Sequence, residues 1–154
     1  MITIYRLQLD KSYITEVQEA TESTEKFGIE PTHGIFGSPE WWQHIREGTL
    51  PVHHLKGTVS SVHMGSMNDW PEFTLRNEDG EEFTWSRYAS DPEFGMLYTV
   101  GRPIEIDYVI QRHRATSVGP GTQLRIPIEI RVDETYNGDR GCSMQQSITG
   151  GSDG

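Results

Sequence analysis

Two runs of alternating residues, Glu72 to Asn77 and Glu81 to Tyr88, are joined through Glu78-Asp79-Gly80, an arrangement that predicts a β-hairpin. Its register constrains the rest of the fold, because residues directly opposed on antiparallel strands share one face of the sheet. A two-residue Asp79-Gly80 turn sets Leu75 against Thr84 and Thr74 against Trp85, mixing polar and apolar side chains on both faces. A three-residue loop with Gly80 left-handed in a bulge instead sets Leu75 against Phe83 and Phe73 against Trp85. The opposite face then pairs Arg76 with Glu82 and Thr74 with Thr84. This second register gives one face to a core and one to solvent, and it is the one expected.

Further strands flank the hairpin. Leu55 to Met64 reads as a long strand with Gly57 inside it, where a bend or bulge is expected to curl the sheet. Ile104, Ile106, Tyr108 and Ile110 alternate with Glu105, Asp107, Val109 and Gln111, which makes a half-buried strand. Leu124 to Val132 repeats the pattern, and Pro127, which has no N–H for a ladder, places that strand at an edge or gives it a bulge. The connector between the hairpin and these strands offers a turn of helix at Asp91-Pro92-Glu93-Phe94. With 16 Gly and 8 Pro among 154 residues, many short strands and tight turns fit the composition better than a helical bundle.

This order of long strand, hairpin, connector and two strands resembles the OB-fold over roughly half the chain. The resemblance implies a mainly β protein built on a five-stranded OB-like barrel. Three zones follow: 1–54, an N-terminal strand and short helix packed on the barrel; 55–133, the barrel; and 134–154, a disordered tail. The tail holds Ile148 as its single aliphatic residue, too little apolar surface to offset the entropy of ordering it. In the first zone Ile2 to Leu9 is compatible with a strand. Asp10 to Lys26 is compatible with a helix capped by Ser12 and stopped by Gly28, although Ile14, Val17 and Ala20 make only a thin apolar stripe. Ser38-Pro39-Glu40 before Trp41-Trp42, with Gly48 as the stop, marks a helix over 39–47 expected to plug the barrel.

Function is far less legible. The formal net charge of -10 disfavours phosphate backbones and anionic lipid and favours encounter with a basic partner, although surplus carboxylates also serve solubility alone. The single Cys142, the absence of a signal-peptide pattern and the lack of a long apolar run lead to a cytoplasmic protein with no membrane association. The six histidines suggest no metal, because His53 and His54 are strand neighbours pointing to opposite faces and no Cys or carboxylate cluster completes a set with His63. No catalytic constellation, cofactor fingerprint or P-loop is present, so no catalytic residue and no cofactor is assigned.

OB-folds often stack bases on the second and third strands, but the favoured register turns Phe73, Phe83 and Trp85 to the core and leaves Tyr88 alone to stack. The loop after the long strand, with His63, Met64, Met67 and Trp70, is the feature hardest to explain as scaffold. Trp70 capping the barrel end beside Trp41 or Trp42 is the simpler account; a contact surface shared with Arg87, Tyr88, Tyr98 and Arg102 is the functional one. The leading expectation is a non-catalytic binding or protein-interaction module of unknown ligand, for which a protein with a basic surface is one candidate partner. An OB-type single-stranded nucleic-acid binder comes next, then an uncatalogued hydrolase or His-metal protein.

Overall fold

A computed structural model of the chain describes residues 1–23, 28–65, 68, 70–113 and 123–136. Six strands, β1 (Ile2–Arg6), β2 (His53–Met64), β3 (Pro71–Arg76), β4 (Glu82–Ser86), β5 (Pro103–Arg112) and β6 (Gln123–Val132), accompany two helices, α1 (Lys11–Ser23) and α2 (Pro39–Glu47). The strands form one antiparallel sheet in the order β1-β6-β5-β2-β3-β4. The protein is therefore mainly β, but its six strands form one open sheet in place of the expected five-stranded OB-like barrel. The strand β6, placed by its proline at an edge or a bulge, has β5 on one side and β1 on the other, so the N-terminal strand is part of the sheet and β4 is left at one end.

The hairpin takes the expected register. Phe73 lies opposite Trp85, Thr74 opposite Thr84, Leu75 opposite Phe83 and Arg76 opposite Glu82. Gly80 is left-handed at φ 84°, and its N–H donates to the Asn77 carbonyl over 3.1 Å. Glycine suits this position because the left-handed region penalises a Cβ. In β2 the bulge falls between Val59 and Ser61, two residues beyond Gly57. Gly57 answers a different need: a side chain there would run into the Arg76 carbonyl on the neighbouring strand.

The chain divides into two compact units: 1–4 with 56–105 and 131–154, and 5–55 with 106–130. The first unit has Ile4, Val59, Phe73, Leu75, Trp85, Tyr98, Ile104 and Val132 in its core. Its connector carries a 3-10 turn, Pro92–Leu97, capped by the Asp91 side chain, as the Asp-Pro-Glu signal predicts. The connector ends where the Val59 N–H donates to the Arg102 carbonyl and the Gly101 N–H to the Val59 carbonyl. Tyr136, assigned to the tail by sequence, lies against Gly101. Residues 137–154, the remainder of that expected tail, fall outside the described residues.

The second unit is built on Trp41. Ser38 accepts a hydrogen bond from the Trp41 N–H at 3.2 Å, Pro39 opens α2 and Gly48 closes it at φ 85°. The helix thereby holds Trp41 fully buried, 4.8 Å from the Phe36 ring. The indole N–H donates over 2.9 Å to the Gln111 side chain, so α2 packs on β5 where plugging of a barrel was expected. In α1 the cap is Asp10, whose carboxylate accepts from the Tyr13 N–H, and Ser12 lies inside the helix. The expected continuation to Lys26 lies outside the described residues. Among those residues no helix is long and apolar enough to cross a membrane.

Candidate interaction face

Within the first unit the pairing of β2, β3 and β4 collects a polar face. His63 is opposite Glu72 and Ser61 opposite Thr74 on one side of β3; Ser86 is opposite Glu72 and Thr84 opposite Thr74 on the other. Since opposed residues share a face, these side chains stand together, away from buried Phe73, Leu75 and Trp85. The two aromatic rings most suited to stacking a base are thus in the core.

A line of hydrogen-bonding groups crosses this face. The His63 Nε2 is 3.2 Å from the Thr74 hydroxyl, which is 3.4 Å from the Thr84 hydroxyl. The His63 Nδ1 is 3.1 Å from the Met64 carbonyl, which can only accept, and 3.8 Å from a Glu72 oxygen, so Nδ1 carries a proton. At the far end Arg76 donates through Nη2 at 2.7 Å and Nε at 3.2 Å to one Glu82 oxygen. Both side chains are about half exposed, which limits that ion pair to about 1 kcal/mol or less.

The other end is the β2–β3 loop. The Gly65 N–H donates to the Trp70 carbonyl at 2.7 Å and the Asn68 N–H to the Gly65 carbonyl at 2.8 Å. Asn68 is left-handed at φ 56°, a conformation that Asn tolerates better than most residues. This clamp presents Trp70 with 54% of its surface exposed, so it is not the buried cap of the simpler expectation. Met64, 40% exposed, pairs with Pro71, which puts its side chain on the Phe73 side of the sheet. Arg87 donates through Nη2 to the His63 carbonyl at 3.3 Å and lies 3.8 Å from the Met64 sulfur.

Of the residues singled out by sequence, His63 and Trp70 belong to this end of the face, and Arg87 reaches Met64 on the Phe73 side of the sheet. Tyr88 contributes its carbonyl as the acceptor for the Tyr98 hydroxyl at 2.5 Å. Tyr98 itself is buried, 4.7 Å from the Phe73 ring, and burial pushes its phenol pKa far above the ordinary value. Arg102 is buried as well: Nε donates to the Thr99 hydroxyl at 3.1 Å, Nη1 to the Asp133 carbonyl at 2.7 Å, and the guanidinium lies 5.8 Å over the Tyr136 ring. Met67 falls outside the described residues, as does Cys142. Sequence reasoning missed Glu72, Thr74 and Thr84 as site residues; their signal was a polar face of hydroxyl pairs, discounted because it stacks no base.

The neighbouring histidines of the other unit serve separate partners. His54 Nδ1 is 2.7 Å from an Asp107 oxygen, and the His53 ring stacks on Tyr108 at 5.3 Å. Among the described residues no three His, Cys, Asp or Glu side chains group as metal ligands would.

The sequence model of the family described as immunity protein RhsI2 matches residues 1–133. The chain belongs to this family. The match spans all six strands and both α-helices, and the face ending at Trp70 lies within it. No curated protein matches the chain. The RhsI2 description is that of a protein-interaction module, which agrees at that level with the leading expectation from sequence.

Proposed function

We propose that this chain is an immunity protein that neutralises a protein toxin by binding it, with no catalysis of its own. The observation that carries this is the family match running through the whole sheet. The toxin in this reading has a basic surface, because a chain of net charge -10 accelerates encounter with a cation-bearing protein and repels an acidic one.

The test is co-expression. The toxin domain encoded beside this chain's own gene should arrest growth when expressed alone and fail to do so when this chain is co-expressed. The purified proteins should form a 1:1 complex by calorimetry. A toxin domain that remains fully active with this chain in molar excess would refute the reading.

A further inference from the structure

We infer that the toxin docks on the outward face of β2, β3 and β4 through a lysine- or arginine-bearing segment, with Trp70 as the apolar anchor and Glu72 as the acceptor. This inference rests on the immunity reading and adds to it the surface and the chemistry of the partner.

The chain's formal net charge is -10, and among the described residues of the unit that carries this face acidic side chains outnumber basic ones ten to five. A cationic partner is therefore attracted to the unit that presents Trp70. Within it, the Glu72 carboxylate stands beside the backbone of the loop that ends at Trp70. A side chain added at Gly65 would come within 3.5 Å of both the Glu72 carboxylate and the Trp70 carbonyl. A cationic segment crossing this end of the face meets the Glu72 carboxylate for a charge-assisted hydrogen bond and, two residues earlier in the chain, the exposed Trp70 indole. Trp is a residue type that interfaces enrich, and a Trp more than half exposed offers an anchor to a partner. The strand face is also organised beforehand: the His63–Thr74–Thr84 line fixes these side chains, so little ordering of them is left to oppose binding.

A competing surface lies in the second unit, a groove of about 550 Å³ bounded by Leu9, Ile14, Pro39 and Trp42. Leu9 is 63% exposed there, but the one charged residue lining the groove is Lys11, which repels a cation. It supplies the control.

The experiment measures the affinity of the full chain for the toxin domain in Trp70→Ala, Glu72→Lys, Thr84→Arg and the control Leu9→Ala. Thermal melts confirm that each is folded. Trp70→Ala and Glu72→Lys should each weaken binding by roughly 10- to 100-fold. Thr84→Arg, which puts bulk and positive charge on the middle of the face, should do the same without touching Trp70. Leu9→Ala should bind like the parent. A parent that binds and protects while all three face variants stay within about twofold, or a loss confined to Leu9→Ala, overturns the docking face and leaves the immunity reading standing. Loss in Trp70→Ala with Glu72→Lys unaffected overturns the cationic partner. A parent that neither binds nor protects overturns both inferences together.

Discussion

Two titratable side chains in the first unit respond to pH at opposite extremes. Tyr98 donates to the Tyr88 carbonyl inside the core, and burial raises its pKa above the ordinary 10.0. The unfolded chain therefore loses this proton first, so its contribution to stability is whole below pH 10 and falls as pH climbs beyond it. Tyr98→Phe should remove that alkaline dependence and cost about 1 to 3 kcal/mol at neutral pH, because the Tyr88 carbonyl loses its donor; urea unfolding at pH 7 and pH 11 measures both. Asp133 moves the other way. The Thr135 hydroxyl at 2.6 Å and the Thr135 N–H at 3.0 Å hold its pKa below the usual 3.8. Its contribution is present above that value and is lost as pH falls through the lower folded one. Thr135→Ala should return the Asp133 titration, followed by NMR, toward 3.8. A curve unmoved by that change would show that the hydroxyl is not the cause.

At the scale of elements the hairpin gives the sharpest contrast. Trp85 is 5% exposed and faces Phe73, whereas Thr84 is on the polar side. Trp85→Ala should cost about 3 to 5 kcal/mol in chemical denaturation and Thr84→Ala well under half of that. Gly80→Ala should cost about 1 kcal/mol for its left-handed backbone, and Gly57→Ala more, since its Cβ meets the Arg76 backbone, which cannot rotate away. Equal losses at Trp85 and Thr84 would contradict the pairing. This hairpin was legible from sequence because turn chemistry and side-chain sorting select the same register. β5 was not. Sequence alternation puts Ile104, Ile106, Tyr108 and Ile110 together, but the buried residues are Ile104, Ile106, Val109 and Gln111. The phase slips between Ile106 and Val109, and a run with apolar residues at both phases does not announce the slip. Gln111 is buried to accept from Trp41, a partner 70 residues away that no local pattern reveals. The pairing of β6 with β1 was equally hidden, because alternation identifies strands without naming their neighbours. The candidate face was half legible: the polar side of the hairpin followed from register, whereas the exposure of Trp70 depends on the clamp between Gly65 and Trp70.

For the whole molecule, long-range charge and short-range anchor contribute to different kinetic steps of the proposed complex. Charge acts before contact, by raising the rate of encounter, and salt screens it over about 10 Å at 0.1 M. An apolar anchor acts after contact, by slowing escape. The exposed tip of the hairpin, Glu78 and Asp79, belongs to the more acidic unit but makes no part of the Trp70 end. Glu78→Gln combined with Asp79→Asn should therefore lower the association rate a few-fold at low salt, with dissociation unchanged, and the difference should vanish as salt is raised. Trp70→Ala should leave the association rate within about twofold and speed dissociation roughly 10-fold or more at every salt concentration. Surface plasmon resonance with the toxin domain immobilised separates the two rates. If Trp70→Ala instead slows association and leaves dissociation unaltered, the indole is not seated in the complex, and the anchor must be sought elsewhere on the chain.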